Sequence, residues 1–127
     1  MVGVARNRYE SFKLKSVEDL QKRVEHLKLN LGISHNIDKL FEPVRCGKFL
    51  IPNRFAVLPM EGCDGKSDGS PDELTFRRYC RFASGGAGVL WVEATAVVQE
   101  GRANPRQLWL HKESLPGFKQ LVKETLQ

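Results

Sequence analysis

Apolar positions recur along the chain at two spacings, and each spacing predicts a different element. From Ser16 onward, Val17, Leu20, Val24, Leu27 and Leu31 follow one another at steps of three and four, which lays a single apolar stripe along a helix over 16–31. Ser16 can cap its amino end with Asp19 in the place of the reciprocal acid, and Gly32 supplies a stop. The stripe packs either on the main body or on another subunit, so a homo-oligomer contact stays open. Ser34 to Lys39 is polar and reads as a linker. It divides the chain into an N-terminal helical extension with its linker, residues 1–38, and a main body, residues 39–127.

In the main body the spacing shortens. Val44–Cys46 and Phe49–Ile51 flank Gly47-Lys48, which predicts a small hairpin. Phe55-Ala56-Val57-Leu58 is apolar throughout, as expected of a strand covered on both faces in a parallel sheet. Ser70-Pro71-Asp72-Glu73 then opens a helix, with Ser70 as cap, proline in the first turn and Glu73 closing a capping box. Phe76, Tyr79, Cys80 and Ala83 share one face of it. Gly85-Gly86 ends it, and Val89-Leu90-Trp91-Val92 is a second buried strand. Strand, helix and strand in this order predict a βαβ unit with parallel strands and a right-handed crossover. Ser114-Leu115-Pro116 opens a third helix carrying Phe118, Leu121, Val122 and Leu126. Two parallel strands cannot cover both their faces, so the pattern calls for more protein than these residues supply.

Composition narrows the class. Hydrophobic residues at 41% and charged residues at 28% fit a globular chain and argue against disorder. No apolar run approaches the ~20 residues of a bilayer span, so no membrane partner is expected. Met1 to Arg8 lacks the apolar core of a secretion signal, and Cys46, Cys63 and Cys80 form no C-x-x-C pair. Both features predict a cytoplasmic chain with reduced thiols. The net charge is +5, and residues 1–31, with seven Lys/Arg against four Asp/Glu, hold +3 of it. No base-reading or stacking motif accompanies that charge, so it reads as a solvated helix face and no nucleic-acid partner is expected.

Three motifs carry no chemistry of their own. Gly85-Gly86-Ala87-Gly88 closes a helix and leads into a strand, the reverse of a dinucleotide fingerprint, and reads as a left-handed turn with tight packing. Asp64 to Gly69 has the outline of a calcium loop, but Lys66 stands at its third position and Thr75 at its twelfth. His26, His35 and His111 lack ligand spacing, and no metal is expected. Two strand ends remain: Leu58-Pro59-Met60-Glu61 and Glu93-Ala94-Thr95, each followed by a long polar loop. In (β/α)₈ barrels the catalytic face is built from strand carboxyl ends and the loops after them. Both segments are therefore candidates for one ligand mouth.

The string Leu40-Phe41-Glu42-Pro43-Val44, Gly47-Lys48, Pro52-Asn53-Arg54, Pro59-Met60, Gly85-Gly86-Ala87-Gly88, Glu93-Ala94-Thr95-Ala96-Val97, Glu100-Gly101-Arg102 and Pro105-Arg106-Gln107-Leu108 closely resembles the opening of Old Yellow Enzyme family proteins. The match runs in order over residues 39–127. The resemblance implies an α/β fold, the amino-terminal part of a (β/α)₈ TIM barrel: its first two parallel strands, a small hairpin and their helices, with the N-terminal helix as an extra. It implies FMN at the barrel mouth and NAD(P)H as reductant. A small-molecule substrate then receives hydride, typically at an electron-poor alkene such as an α,β-unsaturated carbonyl. Pro59, Met60 and Glu61 would lie along the flavin edge, and Ala94 would approach its pyrimidine end through the backbone.

Two positions depart from the family. Glu61 stands where many relatives place a Thr or Cys on the flavin, and its charge there would disfavour an anionic reduced flavin. It would instead point away, or pair with Arg54 or Lys66. Cys63 stands where some relatives have a substrate-facing aromatic. The family's substrate-orienting His/His or His/Asn pair, its proton-donating Tyr and its flavin-phosphate site belong to later strands, so no catalytic residue is expected in this segment. The chain then reads as a fragment of the enzyme. The alternatives are a non-catalytic fragment or interaction module completed by a partner chain, and a related flavin barrel acting on another substrate.

Overall fold

The first helix, α1, spans Val17–His26 in a computed structural model that describes residues 13–126. Ser16 caps it as expected, its Oγ accepting from the Asp19 N–H at 3.1 Å. The helix is shorter than its apolar stripe predicts, and Gly32 is not its stop. Lys28 takes a left-handed φ of 52°, while the N–H groups of Lys28 and Leu29 close back on the carbonyls of Glu25 and Val24 at 2.9 and 3.0 Å. This is the turn that glycine usually makes at a helix end. Leu29 and Leu31 thus lie beyond the helix and are exposed, and Val24 is the buried residue of α1. The chain divides into two compact units between Ile37 and Asp38, and all later elements belong to the second.

That second unit opens with a 3₁₀ turn over Asp38–Leu40 and then the expected hairpin. Strands β1 (Val44–Cys46) and β2 (Phe49–Ile51) pair antiparallel, Val44 opposite Ile51 and Cys46 opposite Phe49. Gly47 at the turn has a φ of 57°, the left-handed conformation that a two-residue hairpin loop demands. The βαβ unit follows as β3 (Ala56–Val57), α2 (Glu73–Ser84) and β4 (Val89–Leu90). Strands β3 and β4 are parallel, with Ala56 opposite Val89 and Val57 opposite Leu90. A further parallel bridge joins Ala96 to Trp109, and α3 (Leu115–Thr125) closes the described chain with Pro116 in its first turn.

Two expectations change. The cap of α2 is Asp72, which pairs reciprocally with Thr75; Ser70 and Glu73 do not form the box. The reason is local: Asp72 is still extended, at φ −106° and ψ 176°, and Pro71 before it is buried against Gly117 rather than joining the helix. The strands are also shorter and more open than their apolar runs suggest. Phe55, Leu58 and Trp91 are exposed, because side chains leave a strand toward the faces of its sheet and a two-stranded sheet has little packed over them.

The core of this unit gathers Tyr79 of α2, Leu121 of α3, and Ala96 and Leu108 of the intervening segment, with Thr75 and Ser114 fully buried beside them. Asn53 fastens the hairpin to the sheet. Its Nδ2 donates to the Gly86 carbonyl at 2.7 Å, and its Oδ1 accepts from the N–H groups of Gly88 and Phe55 at 2.9 and 3.0 Å. Gly86 makes the left-handed turn that ends α2, at φ 80°. A Cβ on Gly88 would meet the Ile51 side chain at 2.7 Å, so only glycine lets β4 start this close to the hairpin.

Candidate functional site at the ends of β3 and β4

Parallel pairing sends β3 and β4 out of the sheet in the same direction, so Pro59-Met60-Glu61 and Glu93-Ala94 leave it at one end. The segments after them are sewn together along their length. Gly65 N–H donates to the Arg106 carbonyl at 3.0 Å, Arg102 Nη1 to the Ser67 carbonyl at 2.8 Å, and Trp109 N–H to the Gly69 carbonyl at 3.0 Å. Arg102 Nη2 also donates to the carbonyls of Pro105 and Gln107, which folds the second loop on itself.

Beneath the loops lies a charged network that sequence reasoning did not single out. The Glu93 side chain is 1% exposed, and its Oε2 accepts from Arg78 Nη2 at 2.7 Å and from the Gly62 N–H at 2.9 Å. Arg78 also takes Asp64 with two bonds, Nε to Oδ2 at 3.0 Å and Nη2 to Oδ1 at 2.9 Å. Thr75 Oγ1 donates to the same Asp64 Oδ1 at 2.7 Å. The Tyr79 hydroxyl accepts from the Glu93 N–H at 2.8 Å, and the Arg78 guanidinium lies 4.7 Å from the centre of the Tyr79 ring. Burying a carboxylate is costly unless charge and hydrogen bonds compensate, and here one guanidinium serves two carboxylates.

The titration behaviour follows this geometry. Burial pushes the Asp64 carboxyl up, but the bonds from Arg78 and Thr75 outweigh it and hold the group below the ordinary aspartate value. Burial likewise pulls the Arg78 guanidinium down, and Asp64 and Glu93 more than reverse it. Burial raises the Tyr79 phenol, opposed by the bond from the Glu93 backbone.

The sequence-predicted residues sit around this network. Pro59, Met60, Glu61 and Ala94 are all exposed, and the Met60 side chain is among the most open apolar groups, at 78%. Arg78 Nη1 lies 3.5 Å from the Met60 carbonyl. Glu61 does not pair with Arg54, which sits instead 3.9 Å from Glu42. Its Oε1 accepts from Gln107 Nε2 at 3.0 Å, and the same nitrogen donates to the Ala94 carbonyl at 3.2 Å. One amide thus joins the two strand ends. Cys63, at φ 49°, accepts from Asn104 Nδ2 at 3.3 Å and stands 4.0 Å from Glu61 Oε2.

The arrangement presents an open apolar side chain beside fixed backbone carbonyls and one carboxylate, on a rigid base. The profile of the NADH:flavin oxidoreductase / NADH oxidase family matches residues 39–127. The chain belongs to this family. An NADPH dehydrogenase of Listeria monocytogenes serotype 4a is 34% identical over 89 residues, which are 68% of this chain and 26% of that protein. A probable inactive reductase, easA, of Epichloe festucae var. lolii is 31% identical over 85 residues, 65% of this chain and 22% of that protein. Among solved structures, the Old Yellow Enzyme homologue of Zymomonas mobilis superposes with a TM-score of 0.62 at 27% identity, covering 69% of this chain and 24% of its own. Morphinone reductase gives 0.61 at 26%, covering 68% and 23%. The chain spans about a quarter of the length of these relatives. Among the described residues no helix is long and apolar enough to cross a membrane.

Proposed function

We propose that this chain forms one side of the flavin mouth of an FMN-dependent oxidoreductase that takes hydride from NAD(P)H and gives it to an electron-poor alkene, such as an α,β-unsaturated carbonyl. In this reading the 127 residues are the amino-terminal part of a (β/α)₈ barrel, with Pro59, Met60, Glu61 and Ala94 along the cofactor. The observation that carries it is the parallel β3–β4 pair, whose two ends meet through Gln107 at an open methionine.

The residues fit the group. An isoalloxazine ring has an apolar body and a polar rim; Pro59 and Met60 offer exposed apolar surface, and the Ala94 backbone offers a rigid polar edge beside it. Bound FMN supplies the hydride transfer itself. The chain's own part is to orient that ring and to hold its surroundings still. Arg78, Asp64 and Glu93 do the holding from below, since each strand end is bonded to the α2 side chains.

Exposed apolar surface supports a larger assembly. Leu58, Trp91, Val97 and Leu126 are open, and Tyr79, Leu90, Phe118 and Leu121 line an apolar groove between α3 and the end of the sheet. Parallel sheets are stable when covered on both faces, so further strands and helices belong there. A second reading follows from the same surface: a partner chain, rather than the same chain, completes the barrel.

The test is anaerobic addition of NADPH to the complete polypeptide reconstituted with FMN, followed by 2-cyclohexenone. Bleaching of the visible flavin band and its return with the enone is the expected result. Bleaching without return would leave the flavin reading and remove the alkene. No flavin uptake by the complete polypeptide would remove the reading itself.

A further inference from the structure

We infer that Gln107 is a positioning residue that clamps Glu61 against the Ala94 carbonyl and so fixes a negative charge at the cofactor mouth. The inference rests on the flavin reading for its consequence, and on the geometry of the amide alone for the clamp.

Gln107 is 7% exposed, and its amide is fully used. Nε2 donates to Glu61 Oε1 at 3.0 Å and to the Ala94 carbonyl at 3.2 Å, which takes both its hydrogens. Oε1 accepts from the Ala103 N–H, and the residue's own carbonyl accepts from Arg102 Nη2 at 2.9 Å. Both partners of Nε2 are acceptors only. No apolar side chain, and no carboxylate, can hold a carboxylate and a carbonyl together; an amide of this reach can, because it offers two donors at one nitrogen.

The clamp gives the unusual acid of this strand end a role. A glutamate carboxylate free in solvent would turn outward to water. Here the bond from Gln107 keeps it beside the exposed Met60 and within 4.0 Å of the Cys63 thiol. A negative charge in that place opposes the arrival of further negative charge on a redox group bound at the mouth. The flavin of this protein is therefore harder to reduce than one flanked by a neutral residue.

Two measurements test this, one without flavin. Gln107→Glu is nearly isosteric and turns the two donors into acceptors facing acceptors, so the melting temperature of the 127-residue chain should fall. Glu61→Gln placed in the Gln107→Glu background exchanges donor and acceptor across the pair and should recover about half of that loss. A double variant as unstable as Gln107→Glu alone overturns the clamp, and this holds even where the single variant fails to fold. In the flavin-loaded complete polypeptide, Glu61→Gln should raise the ratio of reduced to oxidised flavin at a fixed potential about tenfold, a shift of about +30 mV for a two-electron couple. Gln107→Leu, which releases the carboxylate to solvent, should move the potential in the same direction. An unchanged potential in both variants overturns the charge at the mouth. Absence of flavin from the wild type would instead sink the flavin reading, leaving the melting comparison to decide the clamp.

Discussion

The Nη2 of Arg78 lies 2.7 Å from Oε2 of Glu93, joining the middle of α2 to the segment that follows β4. That one ion pair also ties α2 to the end of the sheet from which Glu93 and Ala94 leave. Glu93 is buried, and Arg78 is the described cation that faces it, so each depends on the other more than a surface pair would.

Replacing Arg78 with Met keeps the bulk and removes the charge. Glu93 and Asp64 would then share a largely buried site without a cation, at a cost of about 3 kcal/mol. Urea unfolding measures it; a loss below about 1 kcal/mol would show that water reaches Glu93 more freely than its burial indicates.

Gly62 presses on the same guanidinium. A Cβ there would collide with Arg78 Nη2, and would also meet Asp64 Oδ2 at 2.7 Å. The Arg78 side chain cannot swing aside without leaving both carboxylates. Gly62→Ala should therefore cost about 1–3 kcal/mol, and most of that cost should vanish in the Arg78→Met background. Equal costs in both backgrounds would mean that the backbone, not the guanidinium, is what needs glycine.

His111 gives the loops a pH dependence. Its ring stacks on Trp109 at 3.9 Å, and its two nitrogens face Glu113 Oε2 and the Asp68 carbonyl, each at 2.8 Å. Both partners are acceptors, so only the imidazolium satisfies both. The bond to Glu113, and after it the bond to Asp68, raise the His111 pKa above its ordinary 6.5. A raised value means that the stabilisation is complete below pH 6.5 and is lost as pH climbs through the folded value. Asp64 acts with the opposite sign: its lowered value stabilises above the ordinary 3.8 and is lost on acidification. Thermal melts across both ranges, with His111→Gln as control, should show the alkaline loss only in the wild type. A wild-type melting temperature flat from pH 6 to 8 would contradict the His111 assignment.

Much of this was legible in the sequence, for physical reasons that differ by element. The hairpin was readable because Gly47 alone suits its turn, and the parallel pair because two apolar runs bracket an amphipathic helix. The strand ends stand out as candidates because loops of that length after a strand are uncommon. Arg78 was not, since a basic residue on a helix ordinarily faces water, and nothing local tells that Asp64 and Glu93 converge on it across 14 and 15 positions. Gln107 was visible as part of a family-like string but not as a clamp, because its partners lie 46 and 13 residues away. The end of α1 was misread because Lys28 makes a turn for which glycine is the usual signal. The cap of α2 moved by two residues because the polar residues on either side of Pro71, Ser70 and Asp72, can both cap, and the burial of Pro71 decides between them.

If further strands share the flavin site, as the proposed function has it, these residues by themselves should hold FMN weakly. FMN mixed with the 127-residue chain should separate from it on gel filtration, since the apolar groove and the outer strand edges lack their cover. Flavin absorbance travelling with the protein peak would show that these residues suffice.

In the proposed function the far ends of β3 and β4 border one cofactor, and a photoreactive FMN analogue probes that arrangement. Irradiated in the complete polypeptide and mapped by peptide mass, the analogue should attach both to the segment holding Met60 and to the segment holding Ala94. Attachment to only one of them, or to neither, would contradict it.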